Sequence, residues 1–256
     1  MRLSAERRRR FRPDGRVLGV AHRGASMEAP ENTLAAFRRA LDAEIPAVEC
    51  DVQRARDGRI VVIHDQTVDR TTDGRGRVAD LTFAELRRLD AGRWFGPAFA
   101  GERVPALDDV LDLVRGRALL LLEIKNGPVF YEGIEAQVAD ALRGHGMTGA
   151  TLVMSFDHAA VRTMREAAPQ VATAVVYTAR LVDAIGAAQA AHADALCPLW
   201  GLLTAEVVAE AHEAGLAVFP WTIDEEAAMR RCLAWGVDGV TSNDARLLAR
   251  LGSLPA

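Results

Sequence analysis

Short hydrophobic runs alternate along the chain with longer amphipathic stretches rich in Ala and Leu. The hydrophobic runs predict strands over residues 17–22, 47–52, 118–124, 151–156, 172–177, 194–197, 217–222 and 238–241. Helical periodicity predicts helices over residues 33–43, 133–144, 159–168, 179–191, 205–214, 225–235 and 245–251. Strands that alternate with helices are typical of parallel βα units, and eight of them in about 250 residues favour an α/β fold, the (β/α)8 TIM barrel. A doubly wound open sheet is the alternative, but no G-x-G-x-x-G motif follows the first strand.

One further hydrophobic run, residues 60–64, follows the second strand too closely to be parallel to it. The linker contains Asp57-Gly58, a dipeptide preferred in two-residue type I′ hairpins, so this run is expected to fold back antiparallel as a hairpin that extends strand 2. With these two residues as the turn, Asp51 would lie opposite His64 on the same face. A shift of one residue would place His64 on the other face, which makes the register testable.

Residues 66–117 form an excursion between this hairpin and the next predicted strand, and it is too long for an ordinary loop. We expect a small insertion on the C-terminal rim of the barrel, able to cover a site. A single barrel domain is predicted over residues 15–256. Residues 1–14 are rich in Arg and are expected to form a flexible basic arm. A signal peptide is not expected, because the apolar segment over residues 16–21 is short.

Charge and composition exclude several classes of protein. The chain has 256 residues, 50% of them hydrophobic, with 31 basic and 35 acidic residues and a net charge of −4. This balance argues against a generally basic nucleic-acid-binding protein, and the apolar runs are too short for a transmembrane helix. Three Cys without close pairs fit a reducing compartment, so a cytoplasmic location is expected. The oligomeric state is left open.

Polar residues at the carboxyl ends of barrel strands are candidates for an active site. Three carboxylates that converge at one mouth would repel one another, and a divalent cation would relieve this repulsion. Oxygen-only ligation favours Mg²⁺, Ca²⁺ or Mn²⁺ over zinc. The alternative is a buried ion-pair network that involves the neighbouring Arg and Lys. The candidates are His22, Arg23, Glu49, Asp51, His64, Glu123 and Lys125.

Two residue types in this group, His and Lys, suggest specific chemistry, and Trp221 is a further candidate. His22 and His64 suit general acid–base catalysis, because His titrates near neutral pH. All but one of the 31 basic residues are Arg, and the exception is Lys125. A compact ammonium differs from a planar guanidinium beside a metal or phosphate, so we infer that Arg does not fit there; chance is the alternative. Trp221 ends a predicted strand and is expected either to wall a substrate pocket or to pack in the core.

Nine short motifs that include most of these residues occur in a fixed order along the chain. They are His22-Arg23-Gly24, Pro30-Glu31-Asn32-Thr33, Glu49-Cys50-Asp51-Val52, Val61-Val62-Ile63-His64-Asp65, Arg70-Thr71-Thr72, Glu123-Ile124-Lys125, Ser155-Phe156, Trp221-Thr222 and Gly236-Val237-Asp238-Gly239. Each motif alone is weak evidence, whereas the ordered set is specific. In this set the chain resembles the glycerophosphodiester phosphodiesterases. The resemblance implies a (β/α)8 barrel with a small insertion after the hairpin.

The resemblance also implies an activity, namely hydrolysis of small glycerophosphodiesters to glycerol 3-phosphate and an alcohol. One divalent cation, Ca²⁺ or Mg²⁺, is implied as the cofactor. Among the implied roles, we favour His22 as the base and His64 as the acid. The residues implicated are Glu49, Asp51 and Glu123 as metal ligands, His22 and His64 as the acid–base pair, and Arg23 and Lys125 as phosphate contacts.

Several questions stay open at this point. The nucleophile is either water or the substrate's own glycerol hydroxyl, through a cyclic phosphate. A phosphodiesterase of the lysophospholipase D type would share the same residues, and an apolar lid or membrane-binding face in the insertion would distinguish it. A non-catalytic phospho-ligand or metal-binding protein, which predicts binding without turnover, is the alternative from another class. No nucleic-acid partner and no stable membrane insertion are expected.

Overall fold

The computed structural model describes residues 16–251, so the basic arm predicted over residues 1–14 lies outside the described residues. The strands are β1 (Leu18–Ala21), β2 (Ala47–Arg54), β3 (Ile60–Val62), β4 (Leu119–Ile124), β5 (Thr151–Ser155), β6 (Ala172–Tyr177), β7 (Ala195–Pro198), β8 (Ala217–Val218) and β9 (Gly239–Ser242). The helices are α1 (Leu34–Asp42), α2 (Phe83–Leu86), α3 (Leu107–Val114), α4 (Ile134–Gly144), α5 (His158–Ala167), α6 (Ala184–Ala190), α7 (Ala205–Glu213), α8 (Glu226–Ala234) and α9 (Ala245–Ala249). Within this range, no helix is both long and apolar enough to cross a bilayer.

All strands of this range except β3 form one parallel sheet, in the order β8-β7-β6-β5-β4-β2-β1-β9. β1 pairs in parallel with both β2 and β9. Backbone bonds connect β9 and the chain around β8: the N–H of Asp238 donates to the carbonyl of Val218 (3.0 Å), and that of Thr241 to Pro220 (3.1 Å). These bonds join the two edges of the sheet, and the predicted (β/α)8 barrel is confirmed.

Two predicted elements are shorter in the structure. β8 does not extend over the whole of the predicted strand 217–222, and Pro220 within that span has no N–H to donate to a ladder. The helix predicted over residues 179–191 begins later, with α6. The Asp183 side chain accepts the N–H of Gly186 (2.6 Å) and caps the first turn of this helix.

The side chains of β4 alternate between two apolar layers. Leu121 belongs to the cluster inside the barrel, whereas Leu120 and Leu122 belong to the larger cluster between the sheet and the helices. Both faces of the strand are therefore buried, which explains its unbroken run of Leu. Glu123 shares the interior face with Leu121, so this strand carries a carboxylate into the mouth of the barrel.

The register of the β2–β3 hairpin differs from the prediction by one residue. Val52 lies opposite Val62. The backbone N–H of Ile63 donates to the carbonyl of Asp51 (3.0 Å), so Asp51 faces Ile63 and the predicted pairing with His64 is wrong.

The cause is a loop of three residues, 56–58, in place of the predicted two. The N–H of Ala55 donates to the carbonyl of Arg59, and the N–H of Gly58 donates to the carbonyl of Ala55, both at 2.9 Å. Gly58 has φ of +87°, the left-handed conformation that completes a three-residue hairpin loop. An Asp-Gly pair is compatible with either loop length, so the local sequence does not distinguish the two registers.

His64 still reaches the barrel mouth, because the chain leaves the ladder after β3. The Nε2 of the buried Gln53 donates to the carbonyls of Ile63 (3.1 Å), His64 (3.0 Å) and Asp65 (2.6 Å). Its Oε1 accepts the hydroxyl of Tyr131 (3.0 Å). This amide holds the bend that follows the hairpin, and His64 lines the central cavity.

The segment between β3 and β4 packs over the hairpin. Helix α2 begins with a capping box, in which the Thr82 hydroxyl accepts the N–H of Glu85 and the Glu85 carboxylate accepts the N–H of Thr82. Helix α3, at the end of the segment, packs against α1 of the barrel. Together with the hairpin, the segment forms its own apolar cluster of Ala55, Val61, Ile63, Val68, Val78, Leu86, Ala91 and Val104.

Candidate active site

Polar and apolar side chains surround one cavity of about 120 Å³ at the carboxyl end of the barrel. Asp51 is buried beside it, within ion-pair distance of Arg23 and Lys125. The structure thus brings all seven predicted polar site residues together. The polar lining is His22, Arg23, Glu49, His64, Glu123, Lys125 and Thr241, and the apolar lining is Leu121, Met154, Phe156, Val176, Cys197, Phe219 and Trp221.

Glu49, Asp51 and Glu123 form a buried carboxylate cluster. One oxygen from each of them lies within 4.8 Å of the others. β2 supplies the first two, because residues two apart on a strand share a face, and the pairing of β2 with β4 places Glu123 beside Asp51. Ionised carboxylates at this spacing and burial repel one another unless a positive charge lies between them.

The cluster fits a divalent cation. Oε1 of Glu49 is buried and accepts no hydrogen bond from any residue in the described range, whereas Oε2 accepts the backbone N–H of Arg23 (2.9 Å). Arg23 and Lys125 supply two positive charges against three carboxylates. Oxygen-only donors suit hard divalent cations, so the free oxygen of Glu49 and the unbalanced charge both favour a metal site here.

Lys125 bridges two of the carboxylates. Its Nζ lies 3.0 Å from Oδ1 of Asp51 and 2.7 Å from Oε1 of Glu123. It also lies 5.8 Å from the centroid of the Phe156 ring. The side chain is 14% exposed and lines the cavity, so the ammonium is largely shielded from solvent.

Arg23 enters the site from the loop after β1. Its Nη1 donates to Glu31 (2.8 Å), and its Nε lies 3.3 Å from Oδ2 of Asp51. The next residue, Gly24, has φ of +79°, and a Cβ there would lie 2.6 Å from the carbonyl carbon of Ala36 on α1. Gly is therefore required after Arg23 for the loop to pack against the helix.

Asn32 is a site residue that the sequence reasoning missed as a functional candidate. Its Nδ2 donates to Oδ2 of Asp51 (2.8 Å), and its Oδ1 accepts the backbone N–H of Asp51 (3.3 Å). The following Thr33 caps α1 by accepting the N–H of Ala36 (3.3 Å). The cap signal was visible in the sequence, but nothing local indicated that the residue before it would orient a carboxylate.

His64 is held by a chain of charged residues. Its Nδ1 lies 2.7 Å from Oδ1 of Asp65. Arg70, from the segment after the hairpin, donates to both oxygens of Asp65 and to both oxygens of Glu31. Glu31 also pairs with Arg23, so one ion-pair network joins the phosphate-site candidate Arg23 to His64.

The pKa values of the three carboxylates differ in direction. Burial, reinforced by the charge of Asp51, raises the pKa of Glu49 well above its usual range. Burial raises the pKa of Glu123 to about 7, despite the opposing charge of Lys125. Burial alone would raise the pKa of Asp51, but the charges of Lys125 and Arg23 outweigh it and hold that pKa below its usual range.

Near neutral pH the two histidines are neutral, whereas the lysine is charged. Burial, followed by the charge of Arg23, lowers the pKa of His22 to about 4. Burial also lowers the pKa of His64. Burial would lower the pKa of Lys125, but the charges of Asp51 and Glu123 outweigh it and raise that pKa. The metal-free site therefore presents neutral imidazoles and a charged ammonium.

Trp221 forms part of the cavity wall. Its Nε1 donates to the carbonyl of Cys197 (2.9 Å), which fixes the indole at the mouth. Its ring meets Phe156 edge-on, with centroids 5.6 Å apart and planes at 89°. The indole lines the cavity and also packs against the apolar cluster inside the barrel.

Comparison with known proteins gives a consistent result. Residues 22–247 match the model of the Glycerophosphoryl diester phosphodiesterase family. A glycerophosphodiester phosphodiesterase of Caldanaerobacter subterraneus is 40% identical over 237 residues, which cover 92% of this chain and 98% of the relative. A glycerophosphodiester phosphodiesterase of Bacillus subtilis is 34% identical over 249 residues, covering 90% and 84% of the two chains.

Solved structures agree with these sequence relatives. The crystal structure of a putative glycerophosphoryl diester phosphodiesterase from Silicibacter pomeroyi superposes with a TM-score of 0.83 at 31% identity, covering 92% of this chain and 93% of the other. An Oleispira antarctica phosphodiesterase, in complex with the product sn-glycerol-3-phosphate, gives a TM-score of 0.84 at 29% identity over 93% and 96% of the chains. The chain belongs to the glycerophosphoryl diester phosphodiesterase family.

Proposed function

We propose that the barrel cavity hydrolyses glycerophosphodiesters to glycerol 3-phosphate and an alcohol, with one divalent cation held by Glu49, Asp51 and Glu123. The observation that carries this proposal is the buried carboxylate cluster, with its free Glu49 oxygen, next to two histidines and two cationic side chains. We further propose Mg²⁺ or Ca²⁺ as the ion, with Mn²⁺ as a substitute, because every ligand atom is a carboxylate oxygen. When bound, such an ion withdraws charge from the phosphate oxygens.

Arg23 and Lys125 would bind the phosphate. A phosphodiester carries one negative charge, and further charge develops on its equatorial oxygens during in-line attack. The guanidinium and the ammonium line the cavity and are both largely buried, at 17% and 14% side-chain exposure, so their charges are weakly screened. Their carboxylate partners hold them in place before substrate binds.

His22 and His64 would move the protons. One imidazole accepts the proton of the attacking hydroxyl, and the other donates a proton to the leaving alkoxide. We assign the first role to His22, because burial and the positive charge of nearby Arg23 keep its ring neutral and able to accept a proton. We assign the second to His64, because the carboxylate of Asp65 beside its Nδ1 opposes the effect of burial, which lowers the pKa of this ring.

The proposed activity is tested by measuring glycerol 3-phosphate release from a panel of glycerophosphodiesters, before chelation, after chelation and after return of Mg²⁺, Ca²⁺ or Mn²⁺. We expect chelation to remove turnover and one of these ions to restore it. Binding of metal and phosphate without turnover of any panel member would instead support the non-catalytic alternative.

Metal binding is expected to strengthen as the pH rises through about 7. Glu49 and Glu123 have raised pKa values in the metal-free protein, so the fold favours their protonated forms. The stability that this preference contributes to the metal-free protein is fully present at low pH and is lost as the pH rises through the folded pKa. A metal ion binds the ionised carboxylates, so its binding restores the stability that their ionisation removes. The thermal shift produced by saturating Ca²⁺ or Mg²⁺ should therefore be larger at about pH 8 than at about pH 6. An equal shift at both pH values would contradict the prediction, and Glu123→Gln should reduce the difference.

Lys125→Arg is expected to lower kcat/KM at least about tenfold. The ammonium lies 2.7 Å and 3.0 Å from two carboxylate oxygens, and the longer, planar guanidinium would not keep both contacts in this geometry. Steady-state kinetics of the metal-loaded variant measure the effect. Arg162→Lys, on the exposed face of α5, is the control and should behave as wild type. Full activity of Lys125→Arg would mean that the solitary lysine is an accident of composition.

The lysophospholipase D alternative predicts an apolar face on the segment after the hairpin. In that segment Phe95 contacts both Trp94 and Phe99 edge-on, and the Trp94 indole donates to the carbonyl of Ala91. These aromatic side chains pack on one another, but Trp94 stays 41% exposed, so the cluster is compatible with either substrate class. We keep small glycerophosphodiesters as the proposed substrates. A comparison of water-soluble diesters with micellar lysophospholipids tests the choice, and faster turnover of the micelles would reverse it.

A further inference from the structure

His22 is attached to a chain of hydrogen bonds that the proposed chemistry does not itself use. Its Nδ1 lies 2.7 Å from Oδ1 of Asn243, and Nδ2 of Asn243 donates to Oδ2 of Asp224 at 2.7 Å. The other oxygen of Asp224 accepts the backbone N–H of Asn243 (2.8 Å) and the hydroxyl of Ser242 (3.0 Å). Asn243 directly follows β9, and Asp224 lies after β8, so the closure of the barrel brings both of them to His22.

The carboxylate determines which way the Asn243 amide faces. A carboxylate only accepts hydrogen bonds, so the amide nitrogen must point to Asp224 and the amide oxygen must point to His22. The hydroxyl of Ser26 donates to the same amide oxygen at 2.9 Å, which agrees with this orientation. Because an amide oxygen also only accepts, the Nδ1 of His22 must carry a proton.

This placement leaves the other ring nitrogen free to accept. A neutral imidazole has one proton, and with that proton on Nδ1 the Nε2 has a lone pair. Nε2 is the ring nitrogen near the carboxylate cluster, 3.9 Å from Oε2 of Glu49. His22 therefore presents an acceptor, and not a donor, on the side where substrate would bind.

We propose that Asp224 and Asn243 are positioning residues that hold His22 in its Nδ1–H tautomer, so that Nε2 is the atom that removes the proton from the nucleophile. The inference rests on the proposed role of His22 as base. In that step the O–H bond of the nucleophile breaks, its proton passes to Nε2, and the oxygen forms a bond to phosphorus. The P–O bond to the leaving alcohol breaks, and the leaving oxygen takes its proton from His64. Neither positioning residue contacts the reacting atoms, and both act through His22.

Asp224→Asn tests the proposal. The single oxygen of a carboxamide at position 224 would be occupied by the backbone N–H of Asn243 and the hydroxyl of Ser242, so its nitrogen would meet the amide nitrogen of Asn243. The side-chain amide of Asn243 would then flip and present its nitrogen to Nδ1 of His22. A donor at that position favours the Nε2–H tautomer of the ring. We expect kcat to fall about 10- to 100-fold with KM little changed. The ¹⁵N chemical shifts of the His22 ring should show the proton moving from Nδ1 to Nε2.

A charge-conserving double variant should reverse these changes. In Asp224→Asn combined with Asn243→Asp, the carboxamide at 224 still accepts from the backbone and from Ser242. Its nitrogen now donates to a carboxylate at 243, and that carboxylate accepts the Nδ1–H of His22 as the wild-type amide does. We expect kcat and the ¹⁵N pattern of His22 to return toward wild type, which a merely structural role of Asp224 would not require.

Three outcomes would overturn the proposal. They are wild-type kcat in Asp224→Asn, a fall in kcat with an unchanged His22 tautomer, and no recovery in the double variant. If Asp224→Asn does not fold, the double variant and Asn243→Leu decide the matter, and wild-type kcat in the Leu variant would refute it. The NMR pattern is independent of turnover. An active His22→Ala would therefore refute the proposed role of His22, while the tautomer measurement tests the positioning residues separately.

Discussion

Replacing either His22 or His64 by Ala is expected to lower kcat by about 10²- to 10⁴-fold while the protein stays folded. Both rings line the cavity beside the carboxylate cluster, and each is fixed at Nδ1 by a side chain outside the cavity. Removal of either ring leaves one proton transfer without a partner at a defined position. The measurement is kcat of the metal-loaded variants, together with thermal unfolding to show that the fold is retained.

His158→Ala is the matched control for these variants. His158 lies on the same rim, at the start of α5, but its Nε2 is bonded to the backbone carbonyl of Val176 (3.0 Å) and its ring does not line the cavity. We expect kcat of this variant to stay near wild type. Near-wild-type kcat in His22→Ala or His64→Ala would refute the acid–base assignment.

Glu49→Gln is expected to abolish the response to metal and to lower kcat about 10³-fold, equivalent to about 4 kcal/mol of transition-state stabilisation. The change keeps an oxygen for the backbone N–H of Arg23 but removes the negative charge that Glu49 would offer to a cation. The same change should raise the melting temperature of the metal-free protein, because burial and the charge of Asp51 disfavour the ionised Glu49. Opposite effects on stability and activity identify a ligand rather than a structural residue.

Glu135→Gln is the matched control for that experiment. Glu135 is also buried, at 6% exposure, and burial raises its pKa, but it lies on α4, away from the carboxylate cluster. The control should keep both its metal-dependent thermal shift and its kcat. A Glu49→Gln protein that still gains stability from Ca²⁺ or Mg²⁺ as wild type does would contradict the metal site.

The barrel was predictable from local pattern, because the period of apolar residues reports which faces of an element are buried. The Leu run of β4 and the alternating helices are examples. Boundaries were less predictable where a single residue decides them. Pro220 lies within the span predicted as the last part of β8, and Asp183 begins α6 by a side-chain bond that hydrophobic periodicity does not reveal.

The hairpin shows a second limit of prediction from sequence, which concerns the register of the strands. Asp57-Gly58 correctly indicated a turn, but whether the loop holds two or three residues depends on which pairing the rest of the sheet accepts. The predicted register placed His64 at the site for a reason that proved wrong. In the structure His64 reaches the cavity through the bend that Gln53 holds.

By itself, the sequence determined the order of strands and helices and the identity of the polar residues at the strand ends, because both depend on local residue type and spacing. Only the tertiary structure decided which oxygen of the carboxylate cluster is free, where Lys125 fits, and what orients each histidine. These depend on contacts between residues remote in sequence, such as His22 with Asn243, which come together only when the last strand closes the barrel against the first.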